Sequence, residues 1–282
     1  MEGRGRQGAV ITPQRVTRGV AASAVIALTA LLSGVAQSPP HRGPVDDEEQ
    51  IGQEVFKELK AKGEIVASSP LYDPLLPIAA AITRTAQPRY SHPFKFYLVH
   101  EAQPNAFATP GGNVYVVDSL LYFVKNTEQL AGTLCHEVSH TIHHDSMNLI
   151  EKERQIHRRE IGAVVLLGPT RARLLAIALI GKLHSLGYSR EAESAADLTG
   201  ADVCAASGYN PWGLVWLFQD FDAADSSQLP ELLSDHPGNV HRVAALKEHF
   251  RANPAMFGSF PADAKNAKRF TVPKNAPVQF LR

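Results

Sequence analysis

Apolar and polar positions recur with two periods along this chain, and the switches between them mark out its elements. In "DDEEQIGQEVFKELKAKG" (46–63), Ile51, Val55, Phe56 and Leu59 return at helical spacing behind a run of acids, and Gly63 closes the stretch. Acids at the start and glycine at the end suit a helix dipole and a helix stop. "DPLLPIAAAITRTA" (73–86) predicts a second, shorter helix. "FKFYLVHEA" (94–102) alternates like a strand, and "NVYVVDS" (113–119) is β-rich again. Between them "NAFATPGG" carries Pro110-Gly111-Gly112, the signal for a tight turn. "NTEQLAGTLCHEVSHTIHHD" (126–145) predicts a helix capped by Asn126 or Thr127, with Leu130 and Leu134 on its apolar side.

Residues 161–186 are apolar but broken by Gly168-Pro169, Arg171 and Arg173. The uninterrupted pieces are too short to span a bilayer, so they read as a buried hairpin or an element grazing a membrane surface. "SREAESAADLTGADVCAAS" (189–207) predicts a helix ending at Gly208, and "NPWGLVWLFQDF" (210–221) another. "SDHPGNVHRVAALKEHF" (234–250) reads as a loop running into a last helix. The Pro- and Lys-rich residues beyond Asn253 read as irregular.

The first forty residues follow a different rule. Arg4, Arg6, Arg15 and Arg18 precede the apolar run Gly19 to Ala36, and no acid occurs from Gly3 to Val45. That order predicts an export signal over 1–38, with Gly34-Val35-Ala36 as a small-residue cleavage site. The rivals are an uncleaved membrane anchor and an Arg-rich mitochondrial presequence. Exported, periplasmic or secreted protein is the expected location, with a membrane-anchored form as the alternative. The remaining chain divides into one domain over 39–260 and an irregular tail over 261–282.

Lysine plus arginine balance aspartate plus glutamate at 28 against 28, so no basic stripe for nucleic acid is present. Cys135 and Cys204 are the two cysteines. An oxidising compartment permits a disulfide between them, but the reading as inert buried thiols is favoured.

Chemistry gathers in "HEVSHTIHHD". Helical residues four apart sit about 40° apart around the axis and about 6 Å along it, so His136 and His140 project from one face toward one ion. Glu137 then lies beside that ion, placed to take a proton from an attacking water. A random HExxH is expected in roughly 0.03 of chains with this His and Glu content, so the motif needs support. A catalytic zinc normally wants three protein ligands. The extended pattern with glycine and a third histidine fails, because those positions hold His143 and Ser146. Downstream, Glu193 and Asp197 lie four apart on one helical face. Glu193 is placed to ligate, and Asp197 to accept the second ring N–H of a ligand histidine. Glu191 is off that face and reads as a solvated charge. His143 reads as polar surface.

Taken together, these motifs resemble the zinc metallopeptidases that include type I CAAX prenyl proteases, HtpX-like membrane proteases and their exported periplasmic relatives. The family order is matched by Asn105 to Gly112, by His136 to His140 with His144, by Ser189-Arg190 with Glu193, Ala196 and Asp197, and by His236-Pro237 with Arg242. The likeness covers about residues 45–250. It implies an α+β, mainly helical fold of gluzincin type: an active-site helix, a small sheet and a second helix bearing the glutamate. It implies one Zn2+ on His136, His140 and Glu193, with Glu137 as base. His236 and Arg242 become candidates for contacting the oxyanion. His236 has a rival role as an inhibitory extra ligand, and Arg242 as a salt bridge supporting the site. His144 becomes a structural residue or one behind the ligands. Ala195 departs from relatives that carry a second glutamate there. The chain lacks the tetratricopeptide extension and multiple spanning helices of other members, so a compact soluble protease is expected.

The implied activity is endopeptidase cleavage of unfolded or extended polypeptide, with envelope protein quality control as the family-level expectation. Gly111, Gly112, Asn113 and Val114 would begin an edge strand that takes substrate by strand addition. The competing class is a non-catalytic chaperone or membrane-assembly factor using Val164 to Ile180 as a contact surface, with peripheral membrane contact. Intact ligands and an intact base argue for the enzyme.

Overall fold

The Asp46 carboxylate accepts the Glu49 backbone N–H at 2.8 Å and so caps the first helix, α1 (Asp47–Ala61), which buries Ile51, Val55 and Leu59. The structure, a computed structural model, describes residues 46–160, 169–185, 187–223 and 239–281. After α1 come β1 (Ile65–Ser68), α2 (Tyr72–Ala86), β2 (Lys95–Val99), β3 (Ala106–Thr109), β4 (Asn113–Val117) and α3 (Asp118–Phe123). The helices α4 (Thr127–Ile142), α5 (Asp145–Glu160), α6 (Pro169–Ser185), α7 (Arg190–Ala206), α8 (Trp212–Ala223), α9 (Asn239–Ala252) and α10 (Pro254–Phe257) follow, with β5 (Gln279–Phe280) last. The mainly helical α+β class expected from the motifs is what the chain adopts.

The strands form one sheet in the order β3-β4-β2-β1-β5. β2 and β4 run parallel, and the other pairs are antiparallel. Both faces of this sheet are covered, as alternation along β4 makes plain: Val114 and Val116 join Leu98, Ile82, Leu130 and Leu134 on one side. Tyr115 instead joins Val99, Phe107, Val55 of α1 and Leu179 of α6 on the other. α6 presents Ala176, Leu179 and Ile180 to that second cluster and leaves Leu174 and Ile177 about half exposed. No helix among the described residues is long and apolar enough to cross a membrane. The Gly19–Ala36 run lies outside the described residues, and so do residues 161–168, the part of the apolar 161–186 stretch that precedes α6.

One strand expectation needs correction. β4 is hydrogen-bonded on both sides, to β2 and to β3, so Asn113 and Val114 cannot offer a free edge. Among the described residues the edge on that side is β3, which lies just before the predicted Pro110-Gly111-Gly112 turn. The predicted tight turn is present: Gly111 and Gly112 both have positive φ, at 77° and 80°, which lets the chain reverse from β3 into β4. Past Pro261 the chain stays largely irregular, yet it is tied down. Pro261 and Ala262 carbonyls accept from Asn210 and Trp216, Phe270 N–H bonds Lys125, and β5 pairs with β1.

A Cβ on Gly112 would lie 2.5 Å from the Pro93 carbonyl oxygen, whereas one on Gly63, also at positive φ, meets nothing within 4 Å. Gly112→Ala should therefore cost backbone strain plus overpacking, about 2–4 kcal/mol, and Gly63→Ala strain alone, about 1 kcal/mol. Chemical denaturation of both variants checks this; equal losses would show that the Pro93 contact relaxes without cost.

Candidate metal centre

α4 owes its position to its ends and its back. Asn126 and Gln129 form a reciprocal capping box that fixes where the helix starts. Leu130, Leu134 and Val138 are buried in the main core. α7 begins at Ser189, whose hydroxyl accepts the Ala192 N–H at 3.3 Å. The two helices meet at Gly200, where an added Cβ would come within 3.1 Å of His136 Cα. A side chain there would push α7 away from the backbone that carries the first histidine.

That approach brings three buried ligand atoms together. His136 Nε2 and His140 Nε2 are 3.0 Å apart, and Glu193 Oε2 and Oε1 lie 3.4 and 3.6 Å from them respectively. Among the described residues, this trio is the group of His, Cys, Asp and Glu able to hold a metal ion. Each imidazole is held from behind by a carboxylate. His136 Nδ1 is 3.0 Å from Asp197 Oδ1, and His140 Nδ1 is 2.8 Å from Asp145 Oδ2. With both Nδ1 atoms donating, the two Nε2 lone pairs point at one another, which is repulsive unless a cation or proton lies between them.

Charge points the same way. Glu137, Glu193 and Asp197 are at most 1% exposed, against one guanidinium, Arg242, at 5%. Arg242 clamps Asp197 with two bonds of 2.7 Å, from Nε and Nη2, and its Nη1 lies 3.1 Å from Glu193 Oε2. Its Cζ also sits 4.4 Å above the Phe218 ring. Burial raises the Asp197 pKa, but the guanidinium outweighs it and the net shift is downward, so this carboxylate stays charged. Several buried carboxylates gathered about one fixed cation make a pocket that favours a further positive charge. Two imidazoles and a carboxylate are a zinc-type donor set that leaves a fourth position open.

The other expected residues fall as follows. Glu137 is fully buried beside His136, near enough for its charge to act on Arg242 and Tyr188. His144 has φ of 56° and turns the chain from α4 into α5; its ring meets Glu48 at 3.1 Å and Tyr90, rather than a ligand histidine. His143 bonds Thr199 at 3.0 Å. Glu191 is exposed. Cys135 and Cys204 are free, buried thiols. His236 lies outside the described residues. Sequence reasoning missed Asp145 and Tyr188. Tyr188 stacks on His140 with centroids 4.1 Å apart and planes inclined by 22°.

Fold and site together are those of a gluzincin-type metallopeptidase, with HExxH on one helix and the glutamate on the next. A model of peptidase family M48 matches residues 76–250, and the chain belongs to that family. Similar proteins include the β-barrel assembly-enhancing protease of Escherichia coli (strain K12), 28% identical over 225 residues. Another is the mitochondrial metalloendopeptidase OMA1 of Schizosaccharomyces pombe, 26% identical over 213 residues. The matches cover 74% and 72% of this chain but 44% and 61% of the two relatives, so the chain spans about half the length of the curated relatives it matches. The family resemblance read from the motifs is thereby borne out.

Burial disfavours a charged His136, but Asp197 and Glu193 prevail and its pKa is raised from 6.5 to about 9. Below that pH the metal-free site holds a proton, which an entering dication must expel. Divalent-metal affinity should therefore climb from about pH 6.5 towards about 9 and level off above it. Calorimetric titration in buffers of different ionisation enthalpy measures both affinity and proton release. A flat profile with no proton released would show that the imidazole pair is neutral.

Proposed function

We propose that the protein is a zinc-dependent endopeptidase that hydrolyses peptide bonds in unfolded or extended polypeptides. The observation that carries this reading is the convergence of His136, His140 and Glu193 with Glu137 buried one residue away. Zinc held by those three side chains would supply Lewis-acid polarisation of a water and of the scissile carbonyl. Glu137 acts as general base, taking a proton from the attacking water and handing it to the leaving amine. Asp145 and Asp197 keep both imidazoles oriented, and Arg242 holds Asp197 and Glu193 in place. In this assignment Arg242 is a positioning residue, since its fork is already occupied by two carboxylates.

An extended substrate would lie along the outer edge of β3, the strand with a single hydrogen-bonded neighbour beside α4. Backbone pairing there would hold a polypeptide with little demand on its sequence. The relatives' names support the substrate class: one is a protease that enhances β-barrel assembly, the other a metalloendopeptidase. With the Arg-rich, apolar amino terminus, the first of these names supports export and a role in envelope protein quality control.

Glu137→Gln should lower casein hydrolysis at least about 10²-fold while leaving zinc content and casein binding unchanged. Chelation should abolish wild-type turnover, and added zinc should restore it. Equal turnover by the variant and the wild type would overturn the hydrolase assignment.

A further inference from the structure

The antiparallel pairing of β3 with β4 fixes which backbone groups of β3 face outward. Val117 N–H bonds the Asn105 carbonyl at 2.9 Å, and the register continues Ala106 to Val116 and Ala108 to Val114. Asn105, Phe107 and Thr109 therefore spend their backbone groups on β4, while Ala106 and Ala108 point theirs to the outer edge. Side chains of the protein occupy that edge. Ala106 N–H donates to Asn105 Oδ1 at 2.8 Å, and Ala108 C=O accepts from Ser146 Oγ at 3.2 Å.

Ser146 is itself held. Its hydroxyl lies 2.7 Å from the Tyr188 hydroxyl, and both residues are buried, at 6% and 7% exposure. Only the serine O–H can donate to the Ala108 carbonyl, so its one proton is spent there. Tyr188 must then donate to Ser146 Oγ. The Tyr188 ring is braced against His140. A directed chain thus runs from the metal-ligand helix to the strand edge: His140, Tyr188, Ser146, Ala108.

From this we infer that Ser146, locked by Tyr188, is a cap on the substrate strand that an incoming polypeptide must displace. The inference rests on the proposal that substrate adds to the β3 edge. An added strand needs the Ala108 carbonyl as acceptor for one of its own N–H groups, and Ser146 competes for it. Removing the hydroxyl leaves the buried Ala108 carbonyl without that donor, so a polypeptide that reaches it gains a bond without breaking one. Ser146 and Tyr188 are specificity-setting and positioning residues in this arrangement, acting on binding rather than on the proton transfer by Glu137.

The test uses zinc-loaded Glu137→Gln protein, which does not consume its ligand, and a fluorescein-labelled casein-derived decapeptide followed by anisotropy. Adding Ser146→Ala should tighten binding about three- to tenfold, the worth of one net hydrogen bond. Tyr188→Phe, which keeps the ring on His140 but frees Ser146 to rotate, should move the affinity the same way. Ser146→Thr, which retains the hydroxyl, should match the parent. In the otherwise wild-type enzyme the same changes should lower KM and leave kcat unaltered. Unchanged or weaker peptide binding in both Ser146→Ala and Tyr188→Phe, at full zinc content, would overturn the cap. A copy of the peptide N-methylated at alternate residues separates the two levels. If it binds as well as the parent peptide, strand addition itself is wrong; if it binds worse while Ser146→Ala has no effect, the cap alone is wrong.

Discussion

The close packing of α7 on α4 is the constraint from which the rest of the site follows. Gly200 lies against the His136 backbone, and seven residues earlier on the same helix Glu193 reaches the imidazole pair. Because α4 supplies both histidines and the base, and α7 supplies the third ligand and Asp197, the spacing between two helix axes sets the ligand geometry. The sheet and α8 behind α4 serve that spacing by burying its Leu130, Leu134 and Val138 in the main core. A helix pair held by core packing positions ligands more rigidly than loops would.

Electrostatics explains why so much charge is buried at one place. Buried carboxylates are costly unless paired; Arg242 neutralises part of the cluster, and a bound dication would neutralise more of it. Arg242 touches both Asp197 and Glu193, so it ties a ligand to the carboxylate that orients His136. This makes the centre one unit. Disturbing Asp197 would reach the metal through His136 and reach Glu193 through the guanidinium. The carboxylate behind His140, Asp145, is pushed up by burial to about 6, which makes it the softer of the two anchors as pH falls.

Much of this was legible in the sequence because local rules governed it. Asn126 with Gln129 marks the start of α4, and the spacing of His136 with His140 and of Glu193 with Asp197 places each pair on one helix face. Asp145 was not legible, since its return to His140 depends on the left-handed turn at His144, and i,i+5 is not a helical neighbour. Tyr188 stands just before the α7 cap, where no periodicity signals a contact with α4. β3 is not legible either: "AFAT" is short and weakly β-forming, and the local signal there belongs to the Pro110-Gly111-Gly112 turn that follows it. Whether β4 is central or at an edge depends on partners distant in the chain, and no local pattern encodes it. Long-range pairing, rather than local propensity, decides which strand meets a substrate.

In the proposed centre, two imidazoles and one carboxylate of this chain hold a single divalent ion. X-ray absorption at the zinc edge of the loaded protein tests it directly. The expected spectrum shows one zinc per chain in a shell of nitrogen and oxygen at about 2.0–2.2 Å, with the outer scattering of two imidazoles and no sulfur. A sulfur shell near about 2.3 Å, which would place the metal on Cys135 or Cys204, or a spectrum without imidazole scattering, would contradict it.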